Sequence, residues 1–372
     1  MMGKRSRMVS YWVVGFVVIL VVSAVAYLQH PKFGRLPEGE RLAEIERSPN
    51  YSGDGFQNLV DTPMFAGDKT FFQVLFENLN SSGERLEPVS GIPSVQTDLN
   101  ALDPREDVVV WLGHSSFYVQ LNGQRILIDP VFSTGAAPLP FLNQAYAGTH
   151  DYAADDIPAV DALLITHDHW DHLDYPSVQR LKPKVRQVLA PLGVGSYFQG
   201  WGYDASIIRE GDWFDRFDLV GNVRVHLIPA RHYSGRLLTR GKTLWAGFVL
   251  ETPDRRILFS GDSGYGPHFT EIGKRFGGFD FVALDSGQYD PRWPYIHMTP
   301  EEAVAAAEEL NARSMMPAHV AKFTLARHSW DEPFERITVA SEAKGFDLLT
   351  PMIGEPVQLD GEGFERFGSW WQ

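Results

Sequence analysis

His167-Asp168-His169-Trp170-Asp171-His172 packs three imidazoles and a well-placed carboxylate into one short turn. The residues just before it, Ala162-Leu163-Leu164-Ile165-Thr166, are apolar and β-favouring. They predict a buried strand over 162–166 that delivers the histidines at its own C-terminal tip. Neutral imidazole nitrogens and carboxylate oxygens are the ligand set of zinc and similar divalent ions. His167 and His169 sit two apart, so both can turn toward one ion. Asp171 and His172 lie just beyond and can reach a second. The rival reading of the same residues is a histidine cluster on a solvated loop.

The surrounding chain sets limits on what such a turn can serve. With 372 residues and 44% hydrophobic side chains, it can bury a substantial core as one large domain or two small ones. A net charge of −14 argues against nucleic acid as the main partner. There is no cysteine, so neither a disulfide framework nor a thiolate ligand or nucleophile is available. There is also no Gly-x-Ser-x-Gly elbow to supply a serine nucleophile.

The N-terminus differs from the rest. Lys4, Arg5 and Arg7 precede an uncharged stretch, 8–29, of Val, Ile, Leu, Ala and aromatics. About 20 apolar residues in a helix cross a bilayer. Residues 1–29 therefore read as a single-pass membrane anchor, with the catalytic domain on the periplasmic or extracellular side. Lys32, Arg35, Arg41 and Arg47 beyond the stretch weaken the charge argument for that orientation. A cleaved signal peptide is the rival reading, because Ala24-Val25-Ala26 resembles a cleavage site.

Residues 30–105 are rich in Pro, Gly, Asn and charge and read as a linker and irregular extension, with one amphipathic piece at 69–79. From 108 onward short β-rich runs begin: 108–112, 117–121 and 125–129, the last two joined by the hairpin signal Asn122-Gly123. Further strands are expected at 187–190, 223–229, 246–251, 256–260, 281–284 and 315–317, and helices at 175–181, 300–310 and 333–343. Thr299-Pro300-Glu301-Glu302 is a helix start with an N-cap, Pro at the first position and acids in the first turn. Strands first, then strands mixed with helices, suggest two sheets covered by helices, an α/β (α+β) architecture. The hydrolase domain is expected over 106–350, followed by a C-terminal tail over 351–372, of which the Gly- and Trp-rich part, 361–372, is expected to pack on the surface.

Two ions need about seven protein ligands, and the hexapeptide supplies four. Three ligand-type residues follow later β runs: His232 in Pro-Ala-Arg-His, Asp262 in Ser-Gly-Asp-Ser-Gly and His319 in Pro-Ala-His. Open sheets place their sites at such strand ends. Taken with the hexapeptide, this order resembles the metallo-β-lactamase superfamily. Trp111-Leu112-Gly113-His114-Ser115, Asp129-Pro130-Val131-Phe132-Ser133, Gly261-Asp262-Ser263-Gly264-Tyr265 and Tyr289-Asp290-Pro291-Arg292-Trp293 are similar to the branch that contains N-acyl-phosphatidylethanolamine-hydrolysing phospholipase D.

That resemblance implies a four-layer αββα sandwich with a two-metal site at one edge. It implies that His167, His169 and His232 hold one ion and that Asp171, His172 and His319 hold the other, with Asp262 between them. The ions would be zinc, with manganese or iron as alternatives. Asp171, Asp262 and His297 (in Tyr-Ile-His-Met) are the residues expected at the reaction centre. His297 would orient a phosphate or protonate a leaving group; the alternative is a loop histidine without a role. Asp168 is not expected to be a ligand, and His114 is expected to fix a turn.

The implied activity is phospholipase D-type cleavage of N-acyl-phosphatidylethanolamine-like glycerophospholipids through a hydroxide shared by the two ions. A lactonase or another hydrolase of small carbonyl substrates is the enzymatic alternative, and a membrane-tethered metal-binding protein the non-catalytic one. A homodimer stays open. The chain departs from that branch at Asp285-Ser286, where apolar residues are expected; lining of the pocket by these two would weaken the case for a lipid substrate.

Overall fold

A computed structural model describes residues 2–67, 69–80, 83–236, 239–359 and 367–372. The chain opens with helix α1 (Met2–Leu28), which contains an 18-residue stretch, Tyr11–Leu28, long and apolar enough to cross a membrane. The extension that follows carries α2 (Gly39–Ile45), a small hairpin of β1 (Tyr51–Ser52) and β2 (Gly55–Phe56), and α3 (Phe71–Asn80).

Next come β3 (Val108–Trp111), β4 (Phe117–Leu121), β5 (Gln124–Ile128) and β6 (Ala162–Leu164). Asn122 and Gly123 join β4 to β5 with φ of 47° and 75°, the left-handed pair that a two-residue hairpin needs. Then follow α4 (Tyr175–Leu181), β7 (Val188–Pro191), α5 (Gly195–Gly200), β8 (Ile208–Gly211), β9 (Arg216–Asp218), β10 (Arg224–Ile228), β11 (Gly247–Glu251) and β12 (Arg256–Phe259). The chain ends with α6 (His268–Phe276), β13 (Phe281–Asp285), α7 (Pro300–Glu309), β14 (Ser314–Ala318), α8 (Glu332–Ser341), β15 (Asp347–Leu348) and β16 (Pro356–Gln358). The start of α7 is a complete capping box, with Thr299 and Glu302 each bonded to the other's backbone N–H.

Two seven-stranded sheets result, ordered β16-β3-β4-β5-β6-β7-β8 and β15-β14-β13-β12-β11-β10-β9. Alternation along each strand builds the layers. Val109, Trp111, Val119 and Ile126 of the first sheet meet Val225, Phe248, Ile257 and Phe281 of the second in an inner core. The opposite faces pack outward. Val108, Val110 and Leu163 lie against Val178 of α4 and Phe198 of α5, while Leu258, Val282 and Leu284 lie against Phe269 of α6, Val304 of α7 and Ile337 of α8. This is the expected αββα sandwich.

Strand direction decides where function can sit. β5, β6 and β7 are parallel, and β3 runs with them after two antiparallel steps. In the other sheet β12, β13 and β14 are parallel, and β10 runs with them in the same way. The C-terminal tips of these strands therefore share one edge within each sheet, the edge at which open sheets collect ligand-binding groups.

The segment after 350 joins the sandwich: β16 pairs with β3, and Val357 and Leu359 are buried in the inner core. Within the stretch expected on the surface, Trp371 is buried in that core as well. An exposed sheet edge needs covering, and the alternating apolar pair 357/359 supplies it. Residues 360–366 of that segment lie outside the described residues.

Candidate metal centre

Each ligand-type residue read from the sequence emerges from a strand tip. The hexapeptide follows β6, His232 follows β10, Asp262 follows β12 and His319 follows β14. The structure brings all seven together. His167, His169, His232 and Asp262 form one group whose ligand atoms all lie within 4.8 Å of one another; Asp171, His172, His319 and His114 form a second. Asp262 stands between them, with Oδ2 3.7 Å from His167 Nε2 and 3.6 Å from His232 Nε2, and Oδ1 3.0 Å from His172 Nε2 and 3.1 Å from His319 Nδ1. His169 Nδ1 lies 3.2 Å from His232 Nε2. Asp171 Oδ2 lies 3.5 Å from His172 Nε2 and 3.8 Å from His319 Nε2.

The remaining nitrogens are tied down. His172 Nδ1 donates to Asp129 Oδ2 at 2.8 Å, and Thr166 donates to the same carboxylate through its N–H and hydroxyl. His232 Nδ1 donates to the Ile296 carbonyl at 2.9 Å. Thr166 Oγ1 lies 3.0 Å from His167 Nδ1, and Ser115 Oγ 3.1 Å from His319 Nδ1. Such partners fix which imidazole nitrogen faces inward. Asp129, His114 and His319 all adopt positive φ, between 42° and 62°, a backbone state that costs energy for non-glycine residues and clusters at functional sites. The His319 backbone also passes so close to Gly287 that a Cβ there would lie 1.9 Å from its carbonyl oxygen.

His167 Nε2, His172 Nε2, His319 Nε2 and Asp262 Oδ1 are buried with no hydrogen-bond partner. Each such atom costs about 1–3 kcal/mol, and four in one pocket is a charge no ordinary core carries. The charge balance points the same way. Burial and the neighbouring imidazoles hold His167, His232 and His319 well below the ordinary histidine range, and burial brings His169 down to about 4. Burial pushes Asp262 up to about 6. Burial also opposes a charge on His172, yet the Asp262 and Asp171 carboxylates hold its pKa well above 6.5. The carboxylates thus favour positive charge between them, seen here as the raised pKa of His172. Neutral imidazoles and carboxylates around unpaired inward atoms are the donor set for a divalent cation.

Sequence reasoning missed some of the supporting residues. His114 does more than fix a turn: its Nε2 donates to Asp171 Oδ2 at 2.8 Å, while its backbone carbonyl accepts from Trp111 Nε1. Asp168 is buried and is not among the ligand groups; it accepts from Tyr197 Oη, Gly235 N and Thr243 Oγ1. Asn58, in the extension, grips both the N–H and the carbonyl of His232.

The centre forms the floor of a cavity of about 350 Å³. Met64, Phe65, Val74, Pro138, Trp293 and Leu325 wall it, and Arg240 is its one cationic side chain among the described residues. His297 also lines it, with Nδ1 donating to Asp285 Oδ2 at 2.8 Å. Burial disfavours a charge on His297, but Asp285 more than offsets this and raises its pKa. Asp285 and Ser286 are fully buried and do not line the cavity.

A family model described as a beta-lactamase superfamily domain matches residues 124–320. The chain belongs to the metallo-β-lactamase superfamily. It is 37% identical over 334 residues to an uncharacterized protein of Mycobacterium tuberculosis, covering 89% of both chains. It is 30% identical over 263 residues to N-acyl-phosphatidylethanolamine-hydrolyzing phospholipase D 1 of Caenorhabditis elegans, covering 66% of this chain and 74% of that one. A solved metallo-hydrolase of the archaeon Ignicoccus hospitalis superposes with a TM-score of 0.53 at 19% identity, over 69% of this chain and 99% of its own. That last likeness concerns the fold alone. The superfamily and the ligand clusters together identify a metal-dependent hydrolase.

Proposed function

We propose that this superfamily member is a membrane-anchored, two-metal phosphodiesterase that cleaves glycerophospholipids on the headgroup side of the phosphate. The observation that carries this reading is the seven-residue cage at the floor of a cavity whose wall includes Met64, Phe65, Val74, Trp293 and Leu325. The similarity to a phospholipase D and the apolar helix α1 support it.

In this reading His167, His169 and His232 would hold one divalent ion, and Asp171, His172 and His319 a second, with Asp262 within reach of both. Zinc suits this donor set, as do manganese and iron. Such a pair would supply an activated water and offset charge on the phosphoryl oxygens. The protein's own groups do the rest. Arg240 balances the phosphate charge at the cavity wall. His297, held by Asp285, keeps a proton facing the cavity and delivers it to the departing alkoxide. The apolar wall admits acyl chains and excludes bulk water.

The test is a substrate panel on the metal-loaded protein. We expect turnover of N-acyl-phosphatidylethanolamine and of bis(p-nitrophenyl) phosphate. Hydrolysis of an acyl-homoserine lactone without either phosphodiester would replace this reading with a carbonyl hydrolase. Two bound metals with no turnover of any substrate would favour a binding protein.

A further inference from the structure

The end of α1 does not swing free of the domain; it is fastened to the rim of the cavity. Tyr27 Oη donates to the Pro138 carbonyl, and Lys32 Nζ donates to the same oxygen at 2.7 Å. Pro138 lines the cavity. Phe33 packs edge-on against Trp170, with ring centroids 5.4 Å apart, and Arg236 stacks on Trp170 at 3.9 Å. Arg236 also donates to the Lys32 carbonyl and to the carbonyls of Asp168 and Leu173. Trp170 lies inside the metal-binding hexapeptide and lines the cavity. The first residues after the apolar helix are thus clasped to the turn that carries the ligands.

This clasp fixes a distance. Tyr27 lies within the last turn of the apolar stretch Tyr11–Leu28. Where that stretch spans a bilayer, Tyr27 and Lys32 stand at the headgroup level, the position that Tyr and Lys favour. Pro138, one hydrogen bond away, stands there too. The loop that continues from Pro138 exposes Leu139, Phe141 and Leu142, which are 37%, 69% and 44% accessible. Helix α3, whose Val74 lines the cavity, exposes Phe72 and Phe76 at 78% and 68%. Large apolar side chains exposed on two segments of one rim, next to a membrane helix, mark a surface that enters a lipid interface.

We propose that the cavity rim docks on the surface of the bilayer that holds α1, with Phe141 and Leu142 immersed in it, so that a lipid enters the site from that leaflet without crossing water. This rests on the membrane-anchored reading given above. In its terms α1 is an orienting strut, because a flexible tether would not need Arg236 and Phe33 clasped around Trp170.

The absence of cysteine makes the test direct, since one introduced thiol can be labelled alone. The full chain carrying Phe141→Cys, or Val220→Cys as a control, is labelled with an environment-sensitive fluorophore. It is then reconstituted in nanodiscs of phosphatidylethanolamine and phosphatidylglycerol. Val220 is exposed and precedes β10, whose other end leads to the site. The label at 141 should be quenched by iodide at least threefold less than the label at 220. Equal quenching overturns the docking. In parallel, Phe141→Asp combined with Leu142→Asp should lower cleavage of N-acyl-phosphatidylethanolamine in vesicles at least tenfold, while bis(p-nitrophenyl) phosphate turnover stays within twofold. Vesicle cleavage at the parent rate would also overturn it. Protection at 141 in a protein that cleaves no phospholipid would uphold the docking and reject the substrate.

Discussion

On one side of Asp262, Asp171 and His319 reach the cavity and His172 lies behind them; on the other, His169 and His232 reach it and His167 lies behind. The two sides are backed differently. His172 donates to the Asp129 carboxylate, and Asp171 is held by His114. His232 donates to a backbone carbonyl, and His167 leans on the Thr166 hydroxyl. A carboxylate behind an imidazole makes it a stronger donor than a neutral acceptor does. The carboxylate-backed side should therefore hold a cation more tightly than the side backed by neutral acceptors. Predictions about single residues can separate the two.

Asp262 serves both sides, so Asp262→Asn should lower both metal content and rate by roughly a hundredfold; near-normal occupancy and rate would remove it from the shared position. Asp129→Asn acts first on the carboxylate-backed side, through His172, and only through Thr166 on His167. We expect a roughly tenfold loss of affinity for one of two ions, read by metal titration, and parallel loss of both ions would abolish the distinction. Asp285→Asn leaves the metals in place and acts on His297. The Asp285 charge raises the His297 pKa, so its removal lowers it. If His297 works as an acid, activity is present below its pKa and lost above it. The alkaline limb of the rate profile should then move to lower pH, whereas an unchanged profile would mean that His297 only packs. Asn58→Ala loosens the backbone of His232, on the side backed by neutral acceptors. The backbone groups it frees can bond to water, so only a part of the roughly 1 kcal/mol per bond reaches the metal and affinity for the weaker ion should fall by a few-fold; an effect larger than that of Asp129→Asn would invert the comparison.

The same contrast explains what could be read from the sequence. The hexapeptide is legible because four ligand-type residues sit together at the tip of one apolar strand. His232, Asp262 and His319 are legible as a set, since each follows a β run and parallel strands end at one edge. Asp129 is not legible as a partner of His172, because their meeting depends on β5 pairing with β6 across 33 intervening residues. Asn58 and Met64 lie in a part of the extension with little regular pattern, and Val74 in its amphipathic piece; only tertiary packing brings Asn58 to His232 and Met64 and Val74 to the cavity. Helix α6 was readable in principle. Pro267 before it, Phe269, Ile272 and Phe276 along one face and Gly277 at φ 78° are ordinary helix signals. Strands β8 and β9 are short edge strands with charged residues, which carry no alternation long enough to read.

The account stands on two cations held by one set of seven side chains. Metal analysis of the purified full chain, combined with anomalous diffraction at the absorption edge of the metal found, tests this most directly. We predict two ions per chain, one among His167, His169 and His232 and one among Asp171, His172 and His319, with Asp262 touching both. A crystal grown with excess metal that shows one ion or none among these seven residues would contradict it.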